Sequence, residues 1–368
     1  MKKKNALLAA IAVLGIAGCG TGDGTTGEIG GRNKALVITT DYQDGSFSLI
    51  DLEDWSTVNN VRRIHPDAVC RYDPLTRTPF VISRLGADAV EVLDPEDGWS
   101  VAGEYSVGSG SNPQDMAVVS AERAYVLRYT EADLLTVHPA LGSELGTVDL
   151  GQYADGDGVP EAAWALVHGD EVFVALQRLT DFVPAGYSSL VVLDAESGAV
   201  KREIRLTAAD PFAPLRYVPS LDRIAVVETG LVGELDGGLE LLAPDAEGPA
   251  GLAVTEQQLG GDLMDAVVAD EHHAYAVIAV EQQDKQMSTT LVGFNPATGE
   301  SVTVLDEAEE FDHSFLSLEP GGERLWVTLR TRSTPGVRVY STADGSELTA
   351  APIDTGLPPF MICFVPGE

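Results

Sequence analysis

The sequence predicts an all-β protein: a seven-bladed β-propeller of four-stranded blades, with the C-terminal strand closing the first blade. Three observations predict this fold. A short motif, a strand followed by a turn, recurs along the chain. Seven similar apolar strands accompany this motif, and one extra strand remains at the C-terminus. The 368 residues suit this fold, because a propeller is a long chain folded as a single domain.

The repeated motif is clearest at residues 190–198, where a run of strand-forming residues leads to Asp194 and to a turn that ends at Gly198. Related copies occur before and after this one, at steps of about 43 to 56 residues. Internal periods of this length indicate propellers or solenoids. An early copy at residues 48–52 lacks the glycine. The remaining copies end at Gly98, Gly142, Gly248, Gly299 and Gly345.

Each unit also contains one strongly apolar strand. These strands are rich in β-branched and aromatic residues and carry little charge, as expected for strands that are buried on both faces. Because propeller blades hold four strands each around a channel, seven such strands predict seven blades. They are residues Ala35–Ile38, Pro79–Ile82, Ala124–Leu127, Val172–Ala175, Ile224–Val227, Ala274–Val277 and Leu325–Thr328.

The two ends of the chain complement each other. The first unit has no strand before Ala35, whereas the chain ends with an extra strand at Phe360–Val365. We expect this last strand to pair with the first blade as its innermost strand. Such pairing would join the ends of the chain and remove an unpaired sheet edge.

Two of the three cysteines fall near this closure. Cys70 lies in the predicted innermost strand of the second blade, and Cys363 lies in the extra C-terminal strand. Innermost strands of neighbouring blades line the same channel, so in an oxidising compartment we expect a disulfide between them. It would close a loop of roughly 300 residues and add about 3–5 kcal/mol of stability. Two buried free thiols are the alternative.

The N-terminus has the pattern of an export signal. A basic start at residues 1–4 precedes an apolar run at residues 6–17, which is too short to span a bilayer. The run ends in Ile16-Ala17-Gly18-Cys19, which resembles the lipobox of bacterial lipoproteins. The resemblance implies that Cys19 is lipidated and that the lipid holds the protein to a membrane.

The predicted domain organisation follows from this signal. Residues 1–18 are a lipoprotein signal peptide, residues 19–33 are the lipidated cysteine and a flexible Gly/Thr-rich tether, and residues 34–368 are the propeller. Gly20 stands where an Asp often signals retention in the inner membrane, so the resemblance favours the outer membrane. We therefore expect a lipid-anchored protein of the cell envelope, on its periplasmic or surface side.

The charge balance limits the possible partners. The chain has 23 basic and 57 acidic residues, a net charge of −34 at pH 7. Such a surface repels nucleic acids and anionic headgroups, so no nucleic-acid partner is expected. It favours cations or basic proteins as partners, or it serves solubility alone.

One stretch resembles a repeat of the YVTN-type (YncE-like) β-propellers. It combines residues 111–118, which contain Asn112-Pro113, with the strand Ala124–Leu127 and the strand at residues 135–137. The chain departs from that repeat at Arg128, where the family has Asn, and several units lack Asn-Pro. The resemblance implies a propeller over about residues 35–365. The group includes surface and periplasmic proteins, and related seven-bladed folds include lactone hydrolases, so the fold alone does not give the function.

The loops that lead into the innermost strands are expected to surround one mouth of the channel. Carboxylates that meet there could bind a divalent cation or a cationic ligand. A solvated acidic rim is the alternative, since Arg71 and Arg216 are nearby, and the sequence indicates no other cofactor. The candidate residues of this mouth are Asp67, Asp115, Glu161, Asp265, Asp312 and His313.

Other motifs give weak indications. Asp155 and Asp157, followed by Glu161, resemble a fragment of a calcium loop, but a full loop needs more ligands at alternate positions. The six histidines have no zinc-site spacing, and no nucleophile elbow or His-Glu-x-x-His motif is present. The sequence therefore favours binding over catalysis.

Three long connections between second and third strands, in consecutive blades, are the best candidates for a binding surface. They span residues 177–188, 229–238 and 281–289, and in the first of them Phe182 and Tyr187 are candidate anchors. We expect an envelope protein to dock on this face. The alternatives are a lactonase-like or other metal-assisted hydrolase at the channel mouth, and a binder of small ligands or glycans.

Overall fold

A computed structural model describes residues 29–282, 286–300 and 302–367. Seven four-stranded sheets form a ring around a central channel, so the protein is a seven-bladed β-propeller, as the sequence predicts. The signal peptide at residues 1–18 and the lipidation site at Cys19 lie outside the described residues. Within those residues, no helix has the length and apolar character needed to cross a membrane.

The first three blades are built from the N-terminal third of the chain. Blade 1 contains β1 (Lys34–Thr40), β2 (Gly45–Asp51) and β3 (Thr57–Ile64). Blade 2 contains β4 (Ala68–Asp73), β5 (Thr78–Ser83), β6 (Ala89–Asp94) and β7 (Ser100–Ser106). Blade 3 contains β8 (Pro113–Ser120), β9 (Arg123–Arg128), β10 (Asp133–Val137) and β11 (Glu144–Asp149).

Blades 4 and 5 follow, with one small addition. Blade 4 contains β12 (Ala162–His168), β13 (Glu171–Leu176), β16 (Ser189–Asp194) and β17 (Val200–Arg205). Between β13 and β16, a two-stranded hairpin contains β14 (Leu179–Thr180) and β15 (Val183–Pro184). Blade 5 contains β18 (Arg216–Val218), β19 (Arg223–Glu228), β20 (Gly238–Leu242) and β21 (Leu252–Thr255).

The last two blades and the closing strand complete the ring. Blade 6 contains β22 (Asp262–Val268), β23 (Ala274–Glu281), β24 (Met287–Phe294) and β25 (Thr303–Glu309). Blade 7 contains β26 (His313–Leu318), β27 (Arg324–Leu329), β28 (Gly336–Ser341) and β29 (Ile353–Asp354), and β30 (Pro359–Val365) follows. The helical elements of the described residues are two 3-10 turns and one short α-helix: Pro95–Asp97, Gly151–Tyr153 and α1 (Glu256–Leu259).

The C-terminal strand closes the ring as the sequence predicts. β30 pairs antiparallel with β1, with Leu36 opposite Cys363 and Lys34 opposite Val365, and it becomes the innermost strand of blade 1. The seven apolar strands found in the sequence are β1, β5, β9, β13, β19, β23 and β27, and each is the second strand of its blade. These strands are almost wholly buried because sheets pack against both of their faces.

The repeated aspartate forms a local turn after the third strand. In blade 4, the carboxylate of Asp194 accepts hydrogen bonds from the backbone N–H (2.8 Å) and the hydroxyl (2.6 Å) of Ser197. Gly198 then adopts a left-handed conformation with φ of 72°, which glycine adopts at little cost. Gly98, Gly142, Gly299 and Gly345 adopt the same conformation at the corresponding turns of blades 2, 3, 6 and 7, so the motif recurs because these blades share one turn between their third and fourth strands.

The strand directions define two faces of the ring. Because strands alternate in direction within each blade, every innermost strand starts at the same face. The connections between second and third strands, and those from one blade to the next, lie on this face. We call it the loop face and the other side the opposite face.

Candidate functional site

Asp115, predicted at the channel mouth, lies inside the ring. A β-bulge in β8 turns its fully buried side chain towards blade 4, where the carboxylate accepts a 2.9 Å hydrogen bond from the backbone N–H of Ala165. Arg71 of blade 2 donates to the same carboxylate (3.4 Å) and to the carbonyl of Ala165 (3.3 Å). Arg71 and Asp115 therefore join three consecutive blades.

Asp265 repeats this arrangement three blades further on. It follows a bulge in β22, its side chain is fully buried, and it accepts a 2.8 Å hydrogen bond from the backbone N–H of Leu316 in blade 7. Arg216 of blade 5 donates two bonds to the carboxylate, of 2.6 and 2.9 Å, and one of 2.9 Å to the carbonyl of Leu316. We call the two assemblies the Arg–Asp clamps.

The clamps hold the ring together and do not present free carboxylates. Burial raises the pKa of Asp115 and of Asp265, while the guanidinium groups of Arg71 and Arg216 and the donated N–H bonds oppose this rise. One clamp spans blades 2 to 4 and the other spans blades 5 to 7. The two carboxylates are consequently committed to backbone and arginine partners.

Two further mouth candidates also have partners in the protein. Asp67 forms an ion pair with Arg84, whose Nε donates a 2.8 Å hydrogen bond to the carboxylate. Glu161 is buried and accepts a 2.9 Å hydrogen bond from the backbone N–H of Leu179, at the base of the β14–β15 hairpin. Burial raises the pKa of Glu161 to about 7.

The last two candidates lie between blades 6 and 7. His313 is buried, and its Nε2 is 3.2 Å from the carboxylate of Asp306. Asp312 and Asp306 line a surface cleft of about 570 Å³ together with Arg332 and Arg338, which supply positive charge. Across the described ranges, no three His, Cys, Asp or Glu side chains are grouped so as to hold a metal ion, so the six mouth candidates do not form one ligand set.

Asp155 and Asp157 form a local turn of the chain. Asp155 accepts hydrogen bonds from the hydroxyl of Thr180 (2.8 Å) and from the backbone N–H of Asp157 (3.2 Å). Asp157 in turn accepts a 2.9 Å bond from the backbone N–H of Val159. These bonds connect the segment before β12 to the β14–β15 hairpin.

A buried pair of carboxyl groups, which was not among the residues predicted from the sequence, lies under the loop face of blade 5. Glu228 ends β19 and Glu240 lies within β20, and both side chains are fully buried. Burial, together with a hydrogen bond to Glu240, raises the pKa of Glu228 to about 10, so Glu228 is protonated at neutral pH. The pair could have been identified from the sequence, because a charged residue stands in a strongly apolar strand.

This pair holds two loops in place. Glu228 accepts the backbone N–H of Ala208, and Glu240 accepts those of Thr207 (3.0 Å) and Gly251 (3.0 Å). The loops that lead from blade 4 to blade 5 and from β20 to β21 are thereby fixed to buried acids.

Buried acidic side chains also fix the loop between β19 and β20, which lies on the loop face. Glu256 in α1 accepts 2.7 Å hydrogen bonds from the backbone N–H groups of Gly237 and Leu263, and Asp262 accepts one of 2.7 Å from Gly233. Burial raises the pKa of Glu256 to about 7. The long connection at residues 229–237 is therefore a positioned loop.

The predicted anchors of the first long loop have different environments. Phe182 stands at the tip of the β14–β15 hairpin and is 63% exposed. Tyr187 lies between two guanidinium groups, with Arg178 3.8 Å and Arg205 4.1 Å from the ring centre. Cation–π contacts of this kind stabilise the base of the hairpin, so Phe182 remains as the exposed anchor.

Exposed aromatic side chains are confined to the loop face. Among the described residues there are four, and all lie in connections of that face: Tyr42, Phe182, Phe212 and Phe311. Three of them directly follow an exposed acid, as in Asp41-Tyr42, Asp181-Phe182 and Glu310-Phe311. Exposed large aliphatic residues of the opposite face include Leu75 and Leu141.

Cys70 and Cys363 are neighbours in the structure and both are free thiols. Cys363 pairs with Leu36, whose carbonyl accepts the thiol of Cys70 at 3.8 Å. Burial, followed by a hydrogen bond to Cys363, raises the pKa of the Cys70 thiol.

The disulfide between them stays a prediction. Protein purified from an oxidising compartment, without reductant, should have a mass two hydrogens lower than the reduced chain, and Cys70→Ser should abolish the difference. An unchanged mass with two alkylatable thiols would contradict the prediction.

Comparisons with known proteins show the fold alone. No family model and no curated protein match the chain, but solved structures do. Hydrazine synthase of Kuenenia stuttgartiensis is 14% identical, with a TM-score of 0.57, over 74% of this chain and 76% of that chain. A functionally unknown protein from Desulfotomaculum acetoxidans is 10% identical, with a TM-score of 0.57, over 91% and 100% of the two chains.

A third structure bears on one of the alternatives drawn from the sequence. It is a proposed 6-phosphogluconolactonase from Bacteroides uniformis, 13% identical, with a TM-score of 0.57, over 90% of this chain and 99% of that chain. Similarity at this level of identity carries the architecture and not the chemistry. The class defined by the fold is thus a seven-bladed β-propeller.

Proposed function

We propose that this chain is a lipid-anchored propeller of the bacterial envelope, of the YVTN type, that binds a protein partner on its loop face. The observation that supports this proposal most is the confinement of the exposed aromatic residues to that face. Aromatic side chains are enriched in the energetically dominant centres of protein interfaces.

The chemistry of the loop face suggests the kind of partner. Asp41, Asp181 and Glu310 each place an exposed carboxylate next to an aromatic ring. A surface that carries lysine or arginine beside apolar side chains would complement these pairs. The net charge of −34 adds long-range attraction for such a basic partner.

The loop face is also organised in advance of binding. Tyr42, Phe182 and Glu310 have left-handed backbone conformations, with φ of 68°, 62° and 50°, which hold tight turns. The buried acids beneath the face fix several of its loops by accepting backbone N–H bonds. A loop that is ordered before binding loses less conformational entropy on association, so more of the contact energy becomes affinity.

The hydrolase alternative receives less support. The Bacteroides uniformis protein is a proposed lactonase, and its similarity to this chain extends only to the fold. The carboxylates Asp115 and Asp265 are engaged by Arg71, Arg216 and backbone N–H groups. No specific observation favours a reaction at the channel mouth, so binding is the function we propose.

A zero-length crosslink tests the proposed partner chemistry. A carbodiimide joins a carboxylate to an amine at contact distance, so treatment of intact cells should give one major adduct of defined mass. The double variant Phe182→Ser/Phe311→Ser should reduce that adduct at least about fivefold, a loss of about 1 kcal/mol of binding. The matched control Leu75→Ser/Leu141→Ser, on the opposite face, should retain it. Equal yields from all three proteins would contradict the proposal.

The lipid anchor is tested by a single substitution. Cys19→Ser removes the thiol that would carry the lipid, so the protein should move from the membrane fraction to the soluble fraction and lose incorporation of an alkyne-labelled fatty acid. Cys70→Ser is the matched control and should leave both readouts unchanged. Wild-type protein that is soluble and unlabelled would contradict the anchor. Sedimentation with outer-membrane vesicles would support the predicted location.

A further inference from the structure

The central channel contains a cavity whose lining differs in composition from the rest of this acidic molecule. It has a volume of about 450 Å³ and lies towards the opposite face, where Val218, Val268 and Leu318 end their innermost strands. Its fifteen lining residues, all in the described part of the chain, include two arginines and no Asp or Glu. The whole chain has 57 acidic residues, so the absence of carboxylates from this lining is a distinctive property.

The two arginines belong to the Arg–Asp clamps. The side chains of Arg71 and Arg216 are 27% and 21% exposed, whereas those of Asp115 and Asp265 are 4% and 0% exposed. The guanidinium groups therefore contact the cavity, and their carboxylate partners lie behind them. The carbonyls of Ala165 and Leu316 further fix the orientation of the arginines.

The rest of the cavity wall is mainly apolar. Leu166, Met361 and Phe364 contribute to it from blades 4 and 1. Tyr217 also lines it, and the ring centres of Tyr217 and His168 are 4.2 Å apart. Ligand sites usually combine such an apolar wall with a few fixed polar groups, in volumes of roughly 300–1,000 Å³.

We propose that this cavity binds a small organic anion, one carboxylate or sulfonate group on an apolar body. The anionic group would accept hydrogen bonds from the N–H groups of Arg71 that its clamp leaves unused. Arg216 would contribute mainly its charge, because its two terminal nitrogens already donate to Asp265 and to the carbonyls of Pro214, Ala266 and Leu316. The apolar body would lie against Leu166, Met361 and Phe364. This site is at the other end of the channel from the loop face, so it is independent of the proposed protein partner.

Two fluorescent probes with the same apolar body distinguish how much of the affinity comes from the anionic group and how much from apolar contact. 1-Anilinonaphthalene-8-sulfonate carries the anion, and N-phenyl-1-naphthylamine has the same apolar body without it. We expect the sulfonate to bind the residue 20–368 protein at one site, at least tenfold more tightly than the amine. Benzoate should compete with it, and increasing salt should weaken it because the attraction is electrostatic. Equal affinity for the two probes, or no saturable binding of the sulfonate, would overturn the proposal.

Two isosteric variants locate the site. Met361→Glu adds a carboxylate to a cavity lining that has none, where its charge would repel the anion, and Met361→Gln has the same size without the charge. We expect Met361→Glu to bind the sulfonate at least tenfold more weakly than Met361→Gln does, while the neutral amine binds both alike. Identical sulfonate affinities in the two folded variants would place the probe elsewhere and overturn the proposal.

Discussion

Replacing Arg216 with Met is expected to lower the free energy of unfolding by about 3–5 kcal/mol, the usual cost of leaving one partner of a buried ion pair without the other. The carboxylate of Asp265 is fully buried and receives two hydrogen bonds from Arg216. Without the arginine it must remain charged in a desolvated position or take up a proton. The substitution also removes the bond to Leu316 that links blade 5 to blade 7.

The control for this prediction is an exposed ion pair. Arg63 and Asp44 are 2.6 Å apart, with side chains 79% and 59% exposed. Arg63→Met should change stability by less than about 1 kcal/mol, because exposed pairs contribute little. Urea unfolding of both variants measures the difference. A loss at Arg216 no larger than that at Arg63 would show that the clamps do not hold the ring.

Replacing Glu228 with Gln is expected to stabilise the protein increasingly as the pH rises. The pKa of Glu228 is raised from 4.5 to about 10 in the folded state, chiefly by burial. Between these values the folded state binds one more proton than the unfolded chain, so the free energy of unfolding falls with rising pH. The slope for a single group is at most about 1.4 kcal/mol per pH unit. Gln carries no titratable proton and can donate to Glu240 at every pH.

The measurement compares urea unfolding of wild type and Glu228→Gln at pH 6 and pH 9. We expect the advantage of the variant to be larger at pH 9 by at least about 1 kcal/mol, within the limit set by that slope. Glu196→Gln, in the exposed turn after β16, should show no such change. An advantage that is constant with pH would mean that Glu228 does not keep its proton in the folded state.

Much of the fold could be predicted because the blades repeat. The apolar second strand recurs seven times, and the strand and turn recur with a closing glycine in six of the seven copies, so repetition multiplies a signal that is weak in any one copy. The closing strand could be predicted from the unmatched ends at Ala35 and Phe360. These features depend on local pattern and on strand number, which a single sequence contains.

The candidate site could be predicted only in part. The sequence predicts Asp115 and Asp265 in loops that lead into the innermost strands, whereas both lie within β8 and β22, each after a β-bulge, and a one-residue shift reverses the direction of a side chain. Such bulges are not readable from one sequence. The role of Tyr187 depends on Arg205, which is distant in sequence, whereas the exposure of Phe182 follows from its place at a loop tip.

The most direct test of a partner on the loop face is photo-crosslinking in intact cells, with benzoylphenylalanine placed at single positions. Phe182 and Phe311 are the loop-face positions, and Leu75 and Leu141 are the controls on the opposite face. We expect one adduct of the same mass from positions 182 and 311 and none from positions 75 and 141. The absence of an adduct from both loop-face positions, or the same adducts from both faces, would contradict this expectation.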